Sequence, residues 1–396
     1  MKRDIHPLHS LDRRTFLTAA ALFGGAGLAT GLFGRRALAQ GGLTVTLADI
    51  GVGDPGGDWS RFTAETGNSV NLVAMGNAPS AVVNQLLAGG GRSTFDLINI
   101  VGGMQKPLAE ADLISEIDTS KLPNWEKNTY ITKYLAPGTP GFNFIGYDGK
   151  LYGVPTVLQA DSFAYLPEKA GELDSYGALF DPKFRGFVSL EDNYTTAGQK
   201  TALYLKASGL AQIEDPADMT PEELRTVIDF LIEKKKEGQF RVIWSSFEQA
   251  VKLLVSGEVH VMDCWEPMVF VANSQGANVK YASPKEGYLL WAMAAYIVNN
   301  PSRSQEQTDA AYALLDFMLG PWYGATITGL RGYMTNPGAA EFAAANPDLF
   351  KPEEAKRIAA ITAGVQDRFA AGGTWQNRWP TNVDLYEEEW QRFKSA

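Results

Sequence analysis

The chain has few of the residues from which catalytic and metal centres are most often built. It has one cysteine, Cys264, and three histidines among its 396 residues. A single cysteine forms no internal disulfide and cannot supply the thiolates of an iron–sulfur or cysteine-zinc site. Only His260 lies beyond the first 39 residues. A multi-histidine metal site is therefore excluded in that part of the chain, and a Ser-His-Asp triad would have to use His260.

Basic residues are also in short supply. The chain has 35 Lys and Arg against 45 Asp and Glu, a net charge of −10. Because nucleic-acid phosphates are bound by basic surfaces, nucleic acid is not expected as a partner. The acidity is compatible with a cationic ligand, although acidic residues also keep proteins soluble.

The first 39 residues form a segment of their own. Arg13 and Arg14 precede an apolar run rich in Ala, Gly and Leu, and Ala-Leu-Ala at 37–39 ends the segment. This order is typical of an export signal, and its removal leaves Gln40 as the first residue of the mature protein. The Arg-Arg-x-Phe-Leu core resembles the twin-arginine signal, although an aspartate precedes the pair, and Sec export is the alternative.

Strand and helix patterns alternate along the rest of the chain, which favours an α/β fold with largely parallel sheets. The length predicts two domains, since it is too great for one compact core. The clearest helix is 221–236, with a capping Thr220 and three lysines at its end. Two strands are predicted at 152–157 and 162–166, separated by a polar break. Further strands are predicted at 43–48, 69–75, 95–101, 259–263 and 290–298, and further helices at 246–255, 309–319 and 384–393.

A glycine-rich turn follows the first predicted strand. Gly51, Gly53 and Gly56 match G-x-G-x-x-G, but Pro55 stiffens the turn and no acidic residue follows the second strand. A dinucleotide site is therefore disfavoured. The turn could instead offer backbone N–H groups to another ligand, or be only a tight turn.

Seven short motifs occur in the order found in periplasmic solute-binding proteins of ABC importers. Over essentially the whole mature chain, the sequence resembles the spermidine/putrescine-binding branch of that family. The motifs are Phe-Thr-Ala-Glu-Thr-Gly at 62–67, Phe-Asp-Leu-Ile at 95–98, Leu-Ile-Ser-Glu-Ile-Asp at 113–118, Gly-Val-Pro at 153–155, Gly-Glu-Val at 257–259, Ser-Pro-Lys-Glu-Gly at 283–287 and Trp-Gln-Asn at 375–377.

The resemblance implies a two-lobed α/β fold, each lobe a mixed, mostly parallel sheet flanked by helices, with a small solute bound at the hinge. It implies a periplasmic monomer that delivers the solute to a membrane permease, contains no cofactor and is not an enzyme. The expected first lobe is 40–159 plus 292–336, and the expected second lobe is 160–291 plus 337–396.

In the polyamine branch, aromatic side chains sandwich the methylene chain and carboxylates hold the ammonium groups. By position, the resemblance implies ligand contacts from Trp265, Trp291, Tyr333 and Gln376. Polyamine binders have an aspartate where this chain has Met293, which removes one ammonium partner. A buried ammonium needs a compensating carboxylate, and the candidates are Asp161, Asp192 and Glu266.

Three functions remain open from the sequence. The first is binding of a polyamine or another small amine. The second is binding of an anionic or zwitterionic solute, such as an amino-phosphonate, an opine or an amino-acid derivative. Small-residue loops at 51–57, 102–103 and 195–198, with Thr195 as a contact, would suit an oxyanion. The third is an exported enzyme, which would need a carboxylate mechanism for which no paired-carboxylate pattern is present.

Overall fold

The computed structural model describes residues 42–75, 79–89, 91–376 and 378–396. The predicted export signal and the predicted mature start at Gln40 lie outside these residues. In the part of the chain that is described, no helix combines the length and the apolar character needed to cross a membrane.

The strands form one large mixed sheet and one small hairpin. In chain order they are β1 Thr44–Asp49, β2 Ser69–Ala74, β3 Leu97–Val101, β4 Gly146–Tyr147, β5 Lys150–Leu151, β6 Gly153–Tyr165, β7 Val188–Glu191, β8 Phe240–Trp244, β9 Val261–Cys264, β10 Lys280–Tyr281, β11 Tyr288–Ile297 and β12 Gly373–Trp375.

Helices connect and cover the strands. They are α1 Ser60–Thr66, α2 Pro79–Leu87, α3 Lys106–Glu110, α4 Pro167–Ala170, α5 Gln199–Ala207, α6 Pro221–Lys236, α7 Phe247–Ser256, α8 Glu266–Ser274, α9 Gln305–Met318, α10 Pro321–Arg331, α11 Ala339–Ala345, α12 Pro352–Ala371 and α13 Val383–Ser395. Short 3₁₀ and π turns lie between them, among them a π turn at Tyr194–Gly198.

The large sheet contains two parallel groups of strands joined by two long strands. Its order is β2-β1-β3-β11-β6-β9-β7-β8, with β12 beside β11 and β10 beside β6. The strands β1, β2 and β3 run parallel, as do β7, β8 and β9. Between them, β6 and β11 run antiparallel to each other over eight residue pairs. The predicted α/β class is therefore confirmed.

Each parallel group has its own hydrophobic core, and this divides the chain into two lobes. The first lobe is built on β1–β3, and its core extends to α9 and α10. The second lobe is built on β7–β9, with one core under α5 and α6 and another under α7 and α8. The long strands β6 and β11 connect the lobes and therefore form the hinge region.

Helix α6 has the bounds that the sequence predicted. Thr220 and Glu223 form a reciprocal capping box, which satisfies free N–H groups of the first turn. Pro221 stands at the first helical position. Three lysines lie in the last turn, where their positive charges stabilise the negative end of the helix dipole. The local sequence is thus sufficient to fix both ends of this helix.

The predicted interruption at residues 158–161 is absent, and β6 is one strand of 13 residues, all of them buried. Residues 153–161 pair with β11, and residues 162–165 pair with β9. The polar side chains there do not end the strand, because Gln159 hydrogen-bonds within the protein and Asp161 faces a cavity.

The last sixty residues contact elements of both lobes. The sequence predicts that 337–396 belong to the second lobe. In the structure, α11 and α12 pack on α10, and β12 pairs with β11. Helix α13 packs on the second lobe, against α6. The chain therefore crosses between lobes a third time, between β12 and α13.

Candidate functional site

The main cavity lies beside the hinge strands and takes walls from both lobes. Its volume is about 550 Å³, which is the size of a small-molecule site. The first lobe contributes Val52 and Tyr333, the second contributes Thr195 and Trp265, and the hinge contributes Asp161 and Trp291. Of the eight residues predicted to contact ligand, six line this cavity: Trp265, Trp291, Tyr333, Gln376, Asp161 and Thr195.

Asp161 is a carboxylate of the cavity wall that is almost completely buried. Burial raises its pKa to about 6, and the ammonium of Lys200 and the adjacent Trp291 indole only partly offset that effect. The hydroxyl of Tyr281 approaches its Oδ1 at 3.5 Å. A cation bound beside Asp161 would stabilise the ionised form of this carboxylate, because it compensates the buried negative charge.

Glu191, the last residue of β7, is a second buried carboxylate of the wall. Burial raises its pKa to about 8, and the negative charge of Asp263 adds to the rise. The indole N–H of Trp265 donates to its Oε2 at 3.0 Å. The cavity therefore contains two carboxyl groups that both hold protons more strongly than in water.

Behind these two groups lies a buried ion pair. Lys200 and Asp263 are both inaccessible to solvent, and the Lys200 ammonium donates to Asp263 Oδ1. Burial alone would lower the pKa of Lys200, but the charges of Asp263 and Asp161 raise it. Because Asp263 already takes this ammonium, Lys200 does not fully compensate the two cavity carboxylates.

Aromatic rings form two walls of the cavity. Trp291 and Tyr333 make an edge-to-face pair with centroids 5.5 Å apart. Trp265 packs edge-on against Trp244 at 5.6 Å, within the second lobe. The cavity thus has aromatic faces contributed by the hinge and by both lobes, an arrangement that suits an alkyl chain or a cation.

Gln376 and Thr195 supply polar groups to the wall. Gln376 is almost fully buried, and its side-chain oxygen has no hydrogen-bond partner among the described residues. An unpaired buried acceptor is costly unless a ligand or water satisfies it. Thr195 lies in the π turn after Asn193, and its N–H and hydroxyl both contact Asn193 Oδ1 at 2.9 Å.

The other two predicted carboxylates do not line the cavity. Asp192 accepts hydrogen bonds from Trp390 and Lys394, each at 2.8 Å. Glu266 is buried and pairs with Arg368, whose Nη1 lies 2.8 Å from Oε1. Both carboxylates already have protein partners, and we do not assign them to ligand.

The glycine-rich loops retain few free donors for an anion. The N–H groups of Gly51 and Gly53 donate to the carboxyl group of Asp49, at 2.5 and 3.0 Å. In the second loop, Gly102 and Gly103 donate to backbone carbonyls at 2.7 and 3.0 Å. These N–H groups therefore already donate to acceptors within the protein, and Asn193 is such an acceptor in the third loop, 195–198. The structure gives little support to an oxyanion site in these loops.

The cavity also has a basic rim. Arg331 donates to the backbone carbonyl of Asp54 at 3.1 Å, and Arg357 donates to the carbonyl of Gly329. Both side chains donate to the protein's own groups, although the Nε of Arg331 has no hydrogen-bond partner among the described residues. Among the residues described, no cluster of His, Cys, Asp and Glu is arranged to hold a metal ion.

The sequence patterns indicated Asp192 as a ligand carboxylate, whereas the structure places its neighbour Glu191 in the cavity wall. Successive residues of an extended chain point to opposite faces, and Asp192, directly after β7, is directed to Trp390 and Lys394 of α13 instead of to the cavity. The available signal was the run Val-Ser-Leu ending at Glu191, because ligands bind at the carboxyl ends of parallel strands.

Comparison with known proteins gives a consistent result. Residues 60–356 match the family model of bacterial extracellular solute-binding proteins. The spermidine/putrescine-binding periplasmic protein 1 of Haemophilus influenzae is 25% identical over 345 residues, covering 86% of each chain. The putrescine/agmatine-binding protein of Pseudomonas aeruginosa is 25% identical over 293 residues, covering 70% of this chain and 74% of that protein.

A solved structure agrees with the sequence comparisons. The spermidine/putrescine ABC transporter substrate-binding protein PotD of Streptococcus pneumoniae superposes with a TM-score of 0.63 at 18% identity, covering 89% of this chain and 99% of that chain. The expected two-lobed, hinged fold is confirmed.

Proposed function

Because the chain belongs to the family of bacterial extracellular solute-binding proteins, whose members bind solutes for ABC importers and are not enzymes, we propose that it captures a small amine of the polyamine type. The observation that carries the proposal is the pair of buried carboxyl groups, Asp161 and Glu191, in an aromatic-walled cavity. The two relatives agree with this proposal, since they are spermidine/putrescine- and putrescine/agmatine-binding proteins.

We expect one ammonium group of the solute to bind beside Asp161 and Glu191 in the cavity wall. A cation there would favour the ionised forms of both carboxyl groups, whose charges Lys200 compensates only in part. The aliphatic chain would lie against Trp265 and Trp291, and the free oxygen of Gln376 would accept a further N–H from the solute.

The route to this function is also part of the proposal. The first 39 residues would act as a twin-arginine signal that exports the protein to the periplasm, consistent with the periplasmic relatives. There the mature protein would act as a monomer, without a cofactor, and deliver its solute to the membrane permease of an ABC importer.

A thermal-shift screen tests the ligand class. A ligand bound only by the folded state adds about 2.7 kcal/mol at a hundredfold excess over Kd, so putrescine or spermidine is expected to raise the melting temperature. Asp161→Asn should reduce this rise, because it removes a charge that an ammonium needs.

Asp192→Asn is the matched control for that substitution. Its carboxylate is held by Trp390 and Lys394, so the amine-induced rise should persist. If no amine raises the melting temperature and a phosphonate or carboxylate does, the amine assignment is wrong and the anionic alternative takes its place.

The tryptophans give a second prediction. Trp265→Ala and Trp291→Ala are each expected to weaken putrescine binding by about 1–3 kcal/mol, because buried aromatic anchors contribute effects of this size. Isothermal titration measures the loss, and circular dichroism checks the fold. A variant that unfolds while keeping the wild-type affinity would identify that tryptophan as core alone.

A further inference from the structure

A buried ion pair joins the two lobes next to the cavity. Arg368 is on α12, whose Val365 and Phe369 belong to the core of the first lobe. Glu266 is the first residue of α8, whose Met268 and Val269 belong to a core of the second lobe. The pair therefore connects elements that otherwise pack on different lobes.

The contact is bidentate and enclosed. Arg368 Nη1 lies 2.8 Å from Glu266 Oε1, and Nη2 contacts Oε2. Both side chains are 10% exposed. Gln159 of the hinge strand β6 completes the group, accepting from Arg368 at 2.9 Å and donating to Glu266 at 3.1 Å. The Arg368 guanidinium also lies 5.6 Å from the ring of Tyr281.

The position of this group ties it to the cavity wall. Glu266 stands between Trp265 and Pro267, and both of these neighbours line the cavity. On the other side, α12 contributes Ile361 to the same cavity. A change in the angle between the lobes would therefore move the two ends of the ion pair together with opposite walls of the solute site.

We infer that Glu266 and Arg368 form a cross-lobe latch, two positioning residues that hold the lobes together around the bound solute. A bidentate arginine–carboxylate contact forms only within a narrow range of orientations. When the lobes separate, water would solvate both charged groups, and this hydration would offset much of the free energy lost with the contact. The latch therefore stabilises one lobe orientation, and hydration of the two groups lowers the free energy needed to open it.

A double-mutant cycle on putrescine affinity tests the latch, and this arm rests on the proposed function. Arg368→Met and Glu266→Gln are each expected to raise Kd roughly tenfold, a usual size for coupling between conformation and binding. The double variant should raise Kd no further than the single variants, since one interaction is lost in each case. Arg368→Lys, which keeps the charge but loses the bidentate contact, should lie between wild type and Arg368→Met.

A second measurement needs no solute. Spin labels at Glu65→Cys on α1 and Lys252→Cys on α7 report the distance between the lobes, and the native Cys264 is buried away from the label. The latch variants should shift the distance distribution to longer values. Arg225→Met is the matched control, because its partner Glu389 lies in the same lobe, on α13 against α6, and it should change neither Kd nor the distribution.

The inference is overturned if the two single effects on Kd multiply independently, or if the label distances of the latch variants match those of the wild-type protein. Failure of putrescine to bind the wild-type protein would instead count against the proposed amine. In that case the label distances alone decide whether the latch exists.

Discussion

Lys200→Met is expected to lower the free energy of unfolding by about 3–5 kcal/mol, the usual cost of removing one member of a buried ion pair. The substitution leaves Asp263 buried without its partner, close to Asp161 and Glu191, whose charges also interact with Lys200. Urea unfolding at pH 7.5 measures the change. The loss arises because three carboxyl groups would then share a low-dielectric region without the Lys200 ammonium.

Lys394→Met is the matched control. Its partner Asp192 is also a carboxylate of the second lobe, but the pair is partly exposed, with 36% and 23% of the two side chains accessible. Solvent screens such pairs, so the expected cost is below about 1 kcal/mol. Equal losses for the two variants would show that Lys200 does not compensate a buried charge.

Amine affinity is expected to rise by at least about tenfold between pH 5.5 and pH 8.5, because an ammonium binds the ionised form of a carboxylate. The pKa values of Asp161 and Glu191 are raised to about 6 and about 8 in the folded protein. Both groups therefore lose protons across this interval, while the ammonium of the ligand stays charged. Isothermal titration with putrescine at several pH values measures the change.

The stability of the ligand-free protein should change in the opposite direction. Since Glu191 holds its proton more tightly in the folded state than in the unfolded chain, stability falls as the pH rises from about 4.5 to about 8. Glu191→Gln should remove the pH dependence near pH 8 from both the amine affinity and the stability. The affinity change near pH 6, which belongs to Asp161, should remain. Affinity that is independent of pH in the wild-type protein would contradict the role of these carboxylates.

The resemblance that identified the family also indicated four of the cavity residues, Trp265, Trp291, Tyr333 and Gln376, because the motifs around strand ends and turns persist at low identity. The motifs did not determine which of two adjacent residues faces the cavity. Glu191 and Asp192 are adjacent in sequence, and only strand pairing decides which of them faces the cavity, since β7 lies between β8 and β9 in the sheet. Glu266 was a plausible ligand carboxylate until its pairing with Arg368, 102 residues away, was known.

The sequence by itself determined what depends on near neighbours in the chain. It determined the bounds of α6, because capping and charge preferences act over one turn, and the α/β class, because hydrophobic periodicity reflects local geometry. Only the tertiary structure decided that β6 continues through Gln159 and Asp161. A buried polar side chain is tolerated in a strand when it has partners, and here Gln159 hydrogen-bonds to Glu266 and Arg368 while Asp161 faces the cavity. Those contacts join residues more than 100 positions apart, so no local pattern contains them.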